Sequence, residues 1–226
     1  MRIGILQAEE FDAPTQAALG PYRGLFERLL DGHGFHYRVW NVEAMEFPDS
    51  PEDADGWLIS GSTAGAYEDH PWIAPLERTI RHIHHSGRPL VGICFGHQII
   101  AQAMGGRVEK FVGGWCVGRH VYQIEGREVP LNAWHQDHVT ALPPAARRLG
   151  QSPFCENAVL AYGDTVLSFQ PHPEFDAETT GYFARALKNG KVPDILLDQA
   201  EASLHLPTDG ALIARQIATH FLRNRG

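Results

Sequence analysis

PLVGICFGHQIIAQAMGG, at residues 89–106, decides the fold. Residues 89–93 form a continuous apolar run, which is typical of a strand buried in a parallel sheet. A helical pattern follows over residues 97–104 and ends at two glycines. The segment therefore predicts a strand, a sharp turn and a helix, the unit from which α/β sheets are built.

The turn of this unit places Cys94 between Gly92 and Gly96. The order glycine, any residue, nucleophile, any residue, glycine is typical of a nucleophile elbow, here with sulfur in place of the more common hydroxyl. A side chain at either glycine would collide with the backbone of so tight a turn. The free N–H groups of a helix N-terminus favour a thiolate. We therefore expect a nucleophile, the alternative being the small buried apolar residue that a free cysteine often is.

A second chemical signal is QPHPE, at residues 170–174, directly after the apolar run 166–169. His172 is one of 13 histidines, and it is distinguished by the two prolines that fix the backbone on either side of it. Ligands bind at the carboxyl ends of strands in open α/β sheets, so this position suits a general base. Glu174 lies two residues further on and can orient the imidazole, as the third member of a catalytic triad does.

An acyl-transfer site also needs donors for the oxyanion. The N–H of Phe95 is one candidate, because the residue after the nucleophile supplies such a donor in elbow sites. Gly61, in the loop after the predicted strand 56–60, is the other candidate. On its own the Gly61-Ser62 pair would read as an ordinary turn.

Apolar runs alternate with helical patterns along the chain, which predicts an α/β fold with helices on both faces of a mostly parallel sheet. Strands are predicted at 2–8, 37–42, 56–60 and 89–93, and helices at 21–31, 72–86, 97–104, 178–188 and 209–223. Short alternating runs at 118–124, 131–139 and 158–170 predict antiparallel strands added to one side of the sheet. No linker interrupts the sequence, so we expect one domain over residues 1–226.

Composition narrows the class of function. The 19 basic and 27 acidic residues give a net charge of −8, which disfavours a nucleic-acid partner. No apolar stretch approaches the roughly 20 residues needed to span a bilayer, so no membrane association is expected. The 3 cysteines are far apart and form no C-x-x-C pair, a pattern typical of a reduced, cytoplasmic protein. No phosphate-binding G-x-x-x-x-G-K-[ST] loop is present, and neither a cofactor nor a metal is expected.

Six segments together resemble the class I, triad-type glutamine amidotransferases, especially the amidotransferase domain of GMP synthase and its free-standing homologues. In chain order they are ISGS at 59–62, PWI at 71–73, GICFGHQ at 92–98, GG at 105–106, HQD at 135–137 and QPHPEF at 170–175. The resemblance covers about residues 1–190 and leaves 191–226 as a helical extension. It implies a flavodoxin-like three-layer α/β sandwich.

The resemblance also implies roles for individual residues. Cys94 would attack a glutamine side-chain amide and form a γ-glutamyl thioester, His172 would transfer protons, and Glu174 would hold His172. Gly61 and Phe95 would form the oxyanion hole. The residues that would line the glutamine pocket are Gln98, His135, Gln136 and Asp137. Relatives commonly have glycine at the position of Gln136, a departure that bears on how the substrate is held.

Three functions stay open at this point. The first is glutamine hydrolysis to glutamate and ammonia, with the ammonia passed to a separate acceptor or synthetase subunit. The second is hydrolysis of other γ-glutamyl compounds such as glutathione conjugates, and the third is a regulatory module without turnover. The histidines at 82, 84 and 85 suggest only a weak surface metal site, and Cys116 and Cys155 are expected to be non-catalytic.

Overall fold

A computed structural model describes residues 1–223 of the chain. Its strands are β1 (Arg2–Gln7), β2 (His36–Asn41), β3 (Gly56–Ile59), β4 (Leu90–Ile93), β5 (Arg107–Lys110), β6 (Cys116–Ile124), β7 (Arg127–His135), β8 (Asp137–Ala141), β9 (Ala146–Gln151), β10 (Val159–Tyr162) and β11 (Val166–Phe169). Its α-helices are α1 (Ala13–Leu19), α2 (Tyr22–Leu29), α3 (Ile73–His85), α4 (Phe95–Ala103), α5 (Ala177–Ala186), α6 (Asp194–Ala202) and α7 (Gly210–Arg223).

Strand β4, which leads to Cys94, lies inside a nine-stranded sheet of order β2-β1-β3-β4-β11-β10-β9-β6-β7. The pairs from β2 to β11 are parallel. The pairs from β11 to β7 are antiparallel. Strands β5 and β8 pair separately as a small antiparallel sheet. This arrangement confirms the predicted α/β fold, with a parallel half and antiparallel strands added to one side.

Helices cover both faces of the sheet and give it three layers. One apolar cluster joins the sheet to α3 and α4 through residues such as Leu76, Ile80 and Ile99. A second cluster joins the opposite face to α2 and α7 through residues such as Phe26 and Phe221. Both clusters include residues that are fully buried, so the sheet is sealed on each side.

Two strand predictions were wrong in detail. The run 131–139 is not one strand, because β7 ends at His135 and β8 begins at Asp137 in the other sheet. The run 158–170 is a hairpin of β10 and β11, and β11 pairs in parallel with β4. Alternation of apolar residues continues across both breaks, so the pattern alone does not reveal them.

Three elements were not predicted, namely α1, β5 and β9, and α6 lies in the predicted helical extension but was given no bounds of its own. Helix α1 begins where the Asp12 carboxylate accepts a hydrogen bond from the Thr15 N–H at 2.9 Å. Helix α6 packs on β6 and α5 through Leu197 and Ala200, both of which are buried. The helical extension is thus present as α6 and α7, and its last three residues, 224–226, lie outside the described residues.

Close backbone approach explains the glycines beside Cys94. A Cβ at Gly92 would lie 2.5 Å from the Gly96 carbonyl oxygen and 2.6 Å from Ile100 Cδ1. A Cβ at Gly96 would overlap the Ile59 carbonyl oxygen. Because these neighbours are mostly backbone, they have little room to move, and α4 can pack on β3 and β4 only with glycine here.

We predict that Gly96→Ala lowers the free energy of unfolding by about 1–3 kcal/mol or prevents folding, because the added methyl overpacks a rigid contact. Urea unfolding followed by circular dichroism measures this change. The matched control is Gly24→Ala in α2, where the nearest side-chain atom is 3.5 Å from the new Cβ. Alanine there should be neutral or stabilising by up to ~1 kcal/mol, and equal losses in the two variants would contradict the prediction.

Candidate active site

Cys94 occupies a strained turn between β4 and α4. Its backbone has φ 52° and ψ −104°, in the positive-φ region that residues with a Cβ rarely adopt. The Cys94 N–H donates to the Phe169 carbonyl at 2.8 Å, and the Gly96 N–H donates to the Ser60 carbonyl at 3.1 Å. Two neighbouring strand ends therefore hold the turn that the sequence predicts, and the thiol lies at the N-terminus of α4.

His172 is fixed just beyond the end of β11. The backbone N–H of His172 donates to the Asn132 carbonyl at 2.8 Å. The side-chain amide of Asn132 donates to the Phe175 carbonyl, also at 2.8 Å. The Phe175 ring stacks on the imidazole with centroids 4.0 Å apart. Asn132 and Phe175 thus leave the ring little freedom to rotate.

Glu174 and Cys94 lie on opposite sides of the His172 ring. Glu174 Oε1 is 2.7 Å from His172 Nδ1, and both side chains are buried. Nδ1 therefore carries the proton bonded to the carboxylate, and Nε2 is left for the Cys94 sulfur, which is near enough for its charge to raise the pKa of the ring. The structure brings together all three residues that the sequence predicts as catalytic.

Electrostatics favours a charged imidazole. Burial alone would lower the pKa of His172, but the Glu174 carboxylate and the Cys94 sulfur outweigh that effect and raise its pKa above the usual range. The ring is then an imidazolium between two acceptors. A charged ring next to the cysteine sulfur is a proton donor already in place beside the nucleophile.

The two predicted oxyanion donors belong to the residue after Cys94 and to the loop after β3. The Phe95 N–H belongs to the first residue of α4, so no helical carbonyl can accept from it. Gly61 lies against the hydroxyl of Tyr22. A Cβ at Gly61 would overlap that hydroxyl and come within 3.2 Å of His172 Cε1, so glycine is the residue that fits between them.

Sequence reasoning missed Tyr22 and Glu9. Tyr22 is buried, and this burial is the main reason why the pKa of its hydroxyl is raised. The nearby charges of Glu174 and Cys94 raise that pKa further. The Glu9 carboxylate accepts from the Thr63 N–H at 2.7 Å and so braces the loop that carries Gly61. Glu9 lies two residues after β1, so the strand-end rule was a signal for it, whereas Tyr22 lies in α2 and carries no such signal.

The four residues predicted to line a glutamine pocket have different surroundings. The Gln98 amide nitrogen donates to the Asp137 carbonyl at 3.1 Å and to Gln170 Oε1 at 3.2 Å, which ties α4 to β8 and to the end of β11. The Asp137 carboxylate is half-buried and accepts from the Tyr67 hydroxyl at 3.3 Å.

Gln136 lies at the break between β7 and β8, where its carbonyl accepts from the Phe111 N–H at 3.0 Å. The His135 ring is buried against His138.

Comparison with known proteins identifies the family. The family described as "Glutamine amidotransferase class-I" matches residues 27–188. The chain is 30% identical to gamma-glutamyl peptidase 4 of Arabidopsis thaliana over 91% of this chain and 89% of that protein.

The chain belongs to the class I glutamine amidotransferase family. It is also 28% identical to a glutamine-hydrolyzing GMP synthase subunit of Archaeoglobus fulgidus, over 69% of this chain and 84% of that one. The crystal structure of a glutamine amidotransferase from Methylobacillus flagellatus superposes with a TM-score of 0.79 at 20% identity, covering 100% of this chain and 95% of that one. Membership of the family makes the chain an enzyme of the amidotransferase and cysteine-hydrolase type. Among the helices of residues 1–223, none combines the length and apolar character needed to cross a bilayer.

We predict that Glu174→Gln lowers the pKa of His172, because it removes the carboxylate charge while the burial that disfavours imidazolium remains. NMR titration of protein with labelled histidines measures this directly. The control is Glu68→Gln, which removes the exposed partner 2.9 Å from His70 and should leave His172 unchanged. Identical His172 titrations in the wild type and Glu174→Gln would contradict the electrostatic account.

Proposed function

We propose that this enzyme hydrolyses γ-glutamyl amide bonds through a thioester on Cys94. The observation that carries the proposal is the buried group at the carboxyl edge of the sheet, where Glu174 lies 2.7 Å from His172 and the Cys94 sulfur is near enough to raise the pKa of that ring. A thiolate paired with an imidazolium is suited to acyl transfer from an amide. The intact set also favours an enzyme over a regulatory module without turnover.

In the first half of the reaction, the Cys94 sulfur attacks the side-chain carbonyl carbon of the γ-glutamyl group. The Phe95 N–H and the Gly61 N–H stabilise the negative oxygen. Protonated His172 gives its Nε2 proton to the departing nitrogen as the carbon–nitrogen bond breaks. The products of this half are ammonia or an amine, and a γ-glutamyl thioester.

In the second half, neutral His172 takes a proton from water, and the resulting hydroxide attacks the thioester carbonyl. The carbon–sulfur bond breaks and releases glutamate. The thiolate and the imidazolium are both restored, so no cofactor is consumed. Glu174 keeps the Nδ1 proton in place through both halves and stabilises the charged ring when it forms.

Glutamine is the first donor we propose, with ammonia delivered to a separate synthetase subunit. The Archaeoglobus fulgidus relative is by name a glutamine-hydrolyzing subunit of GMP synthase, and it supports this candidate. A thiol nucleophile works in a reducing compartment, and the free cysteines of this chain fit a cytoplasmic location.

Gamma-glutamyl peptides are the second donor class, and one local feature favours them. Half-buried Phe11, Trp134 and Phe183 lie beside the catalytic residues, with Phe183 5.7 Å from both other rings. The Trp134 carbonyl is 3.8 Å from Cys94 Sγ, and all three rings pack against the apolar cluster that includes Cys94. These rings suit an apolar leaving group that ammonia does not provide. The match to a named gamma-glutamyl peptidase over nearly the full length of both chains supports the same candidate.

We predict that Cys94→Ala lowers glutamate release from every γ-glutamyl donor by at least ~10⁴-fold, because the nucleophile is lost. A coupled glutamate assay measures this. Cys116→Ala is the matched control, since Cys116 is a buried cysteine outside the proposed catalytic group and its loss should leave activity intact. Persistent hydrolysis by Cys94→Ala would remove the proposed mechanism.

We predict that Phe183→Ala raises KM for γ-glutamyl peptides with aromatic leaving groups by about fivefold, equivalent to ~1 kcal/mol of lost apolar contact. Glutamine hydrolysis should not change. Steady-state kinetics on glutamine and a panel of γ-glutamyl peptides measures both. Leu187→Ala, an exposed position directly after α5, is the control. A wild-type preference for glutamine over every peptide would exclude the peptidase candidate.

A further inference from the structure

A second cluster of reactive side chains lies beside the triad. Ligand atoms of His135, His138 and Cys155 all lie within 4.8 Å of one another, and all three residues are buried. The two histidines come from the end of β7 and from β8, and the cysteine from the turn between β9 and β10. We propose that these three residues form a binding site for a divalent transition metal of the zinc class.

Unused ring nitrogens are the strongest support. Neither nitrogen of His135 has a hydrogen-bond partner among the described residues, and His138 Nε2 has none either. Buried polar atoms in folded proteins are almost always paired, because an unpaired donor or acceptor loses its water without compensation. Three unpaired nitrogens in one cluster therefore suggest a shared ligand. A metal ion would bind one nitrogen of His135 and the Nε2 of His138 at the same time.

Cys155 and His138 are each held by contacts outside the cluster. The Cys155 turn is locked by two hydrogen bonds to Ser152, at 2.8 Å and 3.0 Å. The His138 ring is stacked on Phe111 with centroids 4.4 Å apart, and the Phe154 ring meets it edge-on at 5.5 Å. The neighbouring aromatic rings enclose the cluster, as the apolar surroundings of metal sites commonly do.

The donor set fits zinc in type and number. Two imidazoles and one thiolate are zinc ligands, and a water can fill the fourth tetrahedral position. On binding, the Cys155 thiol would lose its proton to solvent as the sulfur–metal bond forms. Tetrahedral bonds of about 2.0–2.3 Å place donors roughly 3.3–3.7 Å apart, so the ligands close in by about 1 Å.

A metal here would fix the end of β7 next to the nucleophile. His135 directly follows Trp134, whose carbonyl contacts Cys94 Sγ, and precedes the predicted pocket residues Gln136 and Asp137. Binding would join β7, β8 and the β9–β10 turn, which otherwise belong to two different sheets. The site would thus brace the antiparallel half of the fold and the wall of the active site together.

The test separates this site from the catalytic thiol. The chain has 3 cysteines, so Cys94→Ala combined with Cys116→Ala leaves Cys155 as the one remaining thiol. Metal-stripped protein of this double variant is titrated with Co²⁺, which reports tetrahedral geometry through visible bands and thiolate ligation through a near-ultraviolet charge-transfer band. We expect one Co²⁺ per chain with both signatures, and displacement by Zn²⁺.

Further substitutions in the double variant test the ligands. Cys155→Ala and His135→Ala should weaken Zn²⁺ binding more than ~100-fold, beyond the effect of losing a supporting contact. His82→Ala, an exposed histidine, is the control and should bind normally. The proposal is overturned by absence of the charge-transfer band or by unchanged Zn²⁺ affinity in folded Cys155→Ala. If Cys155→Ala does not fold, the band in the double variant decides, because Cys155 is then the one possible sulfur ligand.

Discussion

The contact between Glu174 and His172 is the interaction on which the active site depends. A carboxylate and an imidazole lie 2.7 Å apart with almost no exposed side-chain surface. Either charge alone would be costly in that position, and the pair is stable because each compensates the other. Glu174 thereby fixes one proton on Nδ1 and favours a second proton on Nε2, the nitrogen left for the Cys94 sulfur. Burial imposes a desolvation cost on both charges. The same burial strengthens their electrostatic interaction with the reacting atoms, because less water screens it.

The parallel half of the sheet assembles the catalytic group, and the antiparallel half supports it. Strands β3, β4 and β11 are neighbours, so their carboxyl ends bring Gly61, Cys94 and His172 to one edge. The backbone of Asn132 in β7 then holds the His172 N–H. The added strands therefore do more than extend the sheet, because one of them positions the base and another carries the proposed metal ligand His138.

The sequence was sufficient to predict those catalytic residues whose motifs span only a few neighbouring positions. The elbow around Cys94 and the Pro-His-Pro-Glu segment each carry their signal within a few residues, and so both could be placed at the correct strand ends. Tyr22 could not be assigned, because its role comes from a hydroxyl that meets Gly61 across 39 residues of sequence. The cluster of His135, His138 and Cys155 was hidden for the same reason, and the expectation of no metal site rested on spacing alone. The break at Gln136 was missed because alternation continues through it.

The central claim is that Cys94, driven by the buried His172 and Glu174 pair, becomes covalently acylated during turnover. Acid quenching during turnover of a γ-glutamyl donor, followed by peptide mass spectrometry, tests this most directly. The account predicts a γ-glutamyl group on the peptide that contains Cys94, and on neither of the peptides with Cys116 or Cys155. Turnover without that adduct, even when quenched before the steady state, or an adduct on another residue, would contradict it.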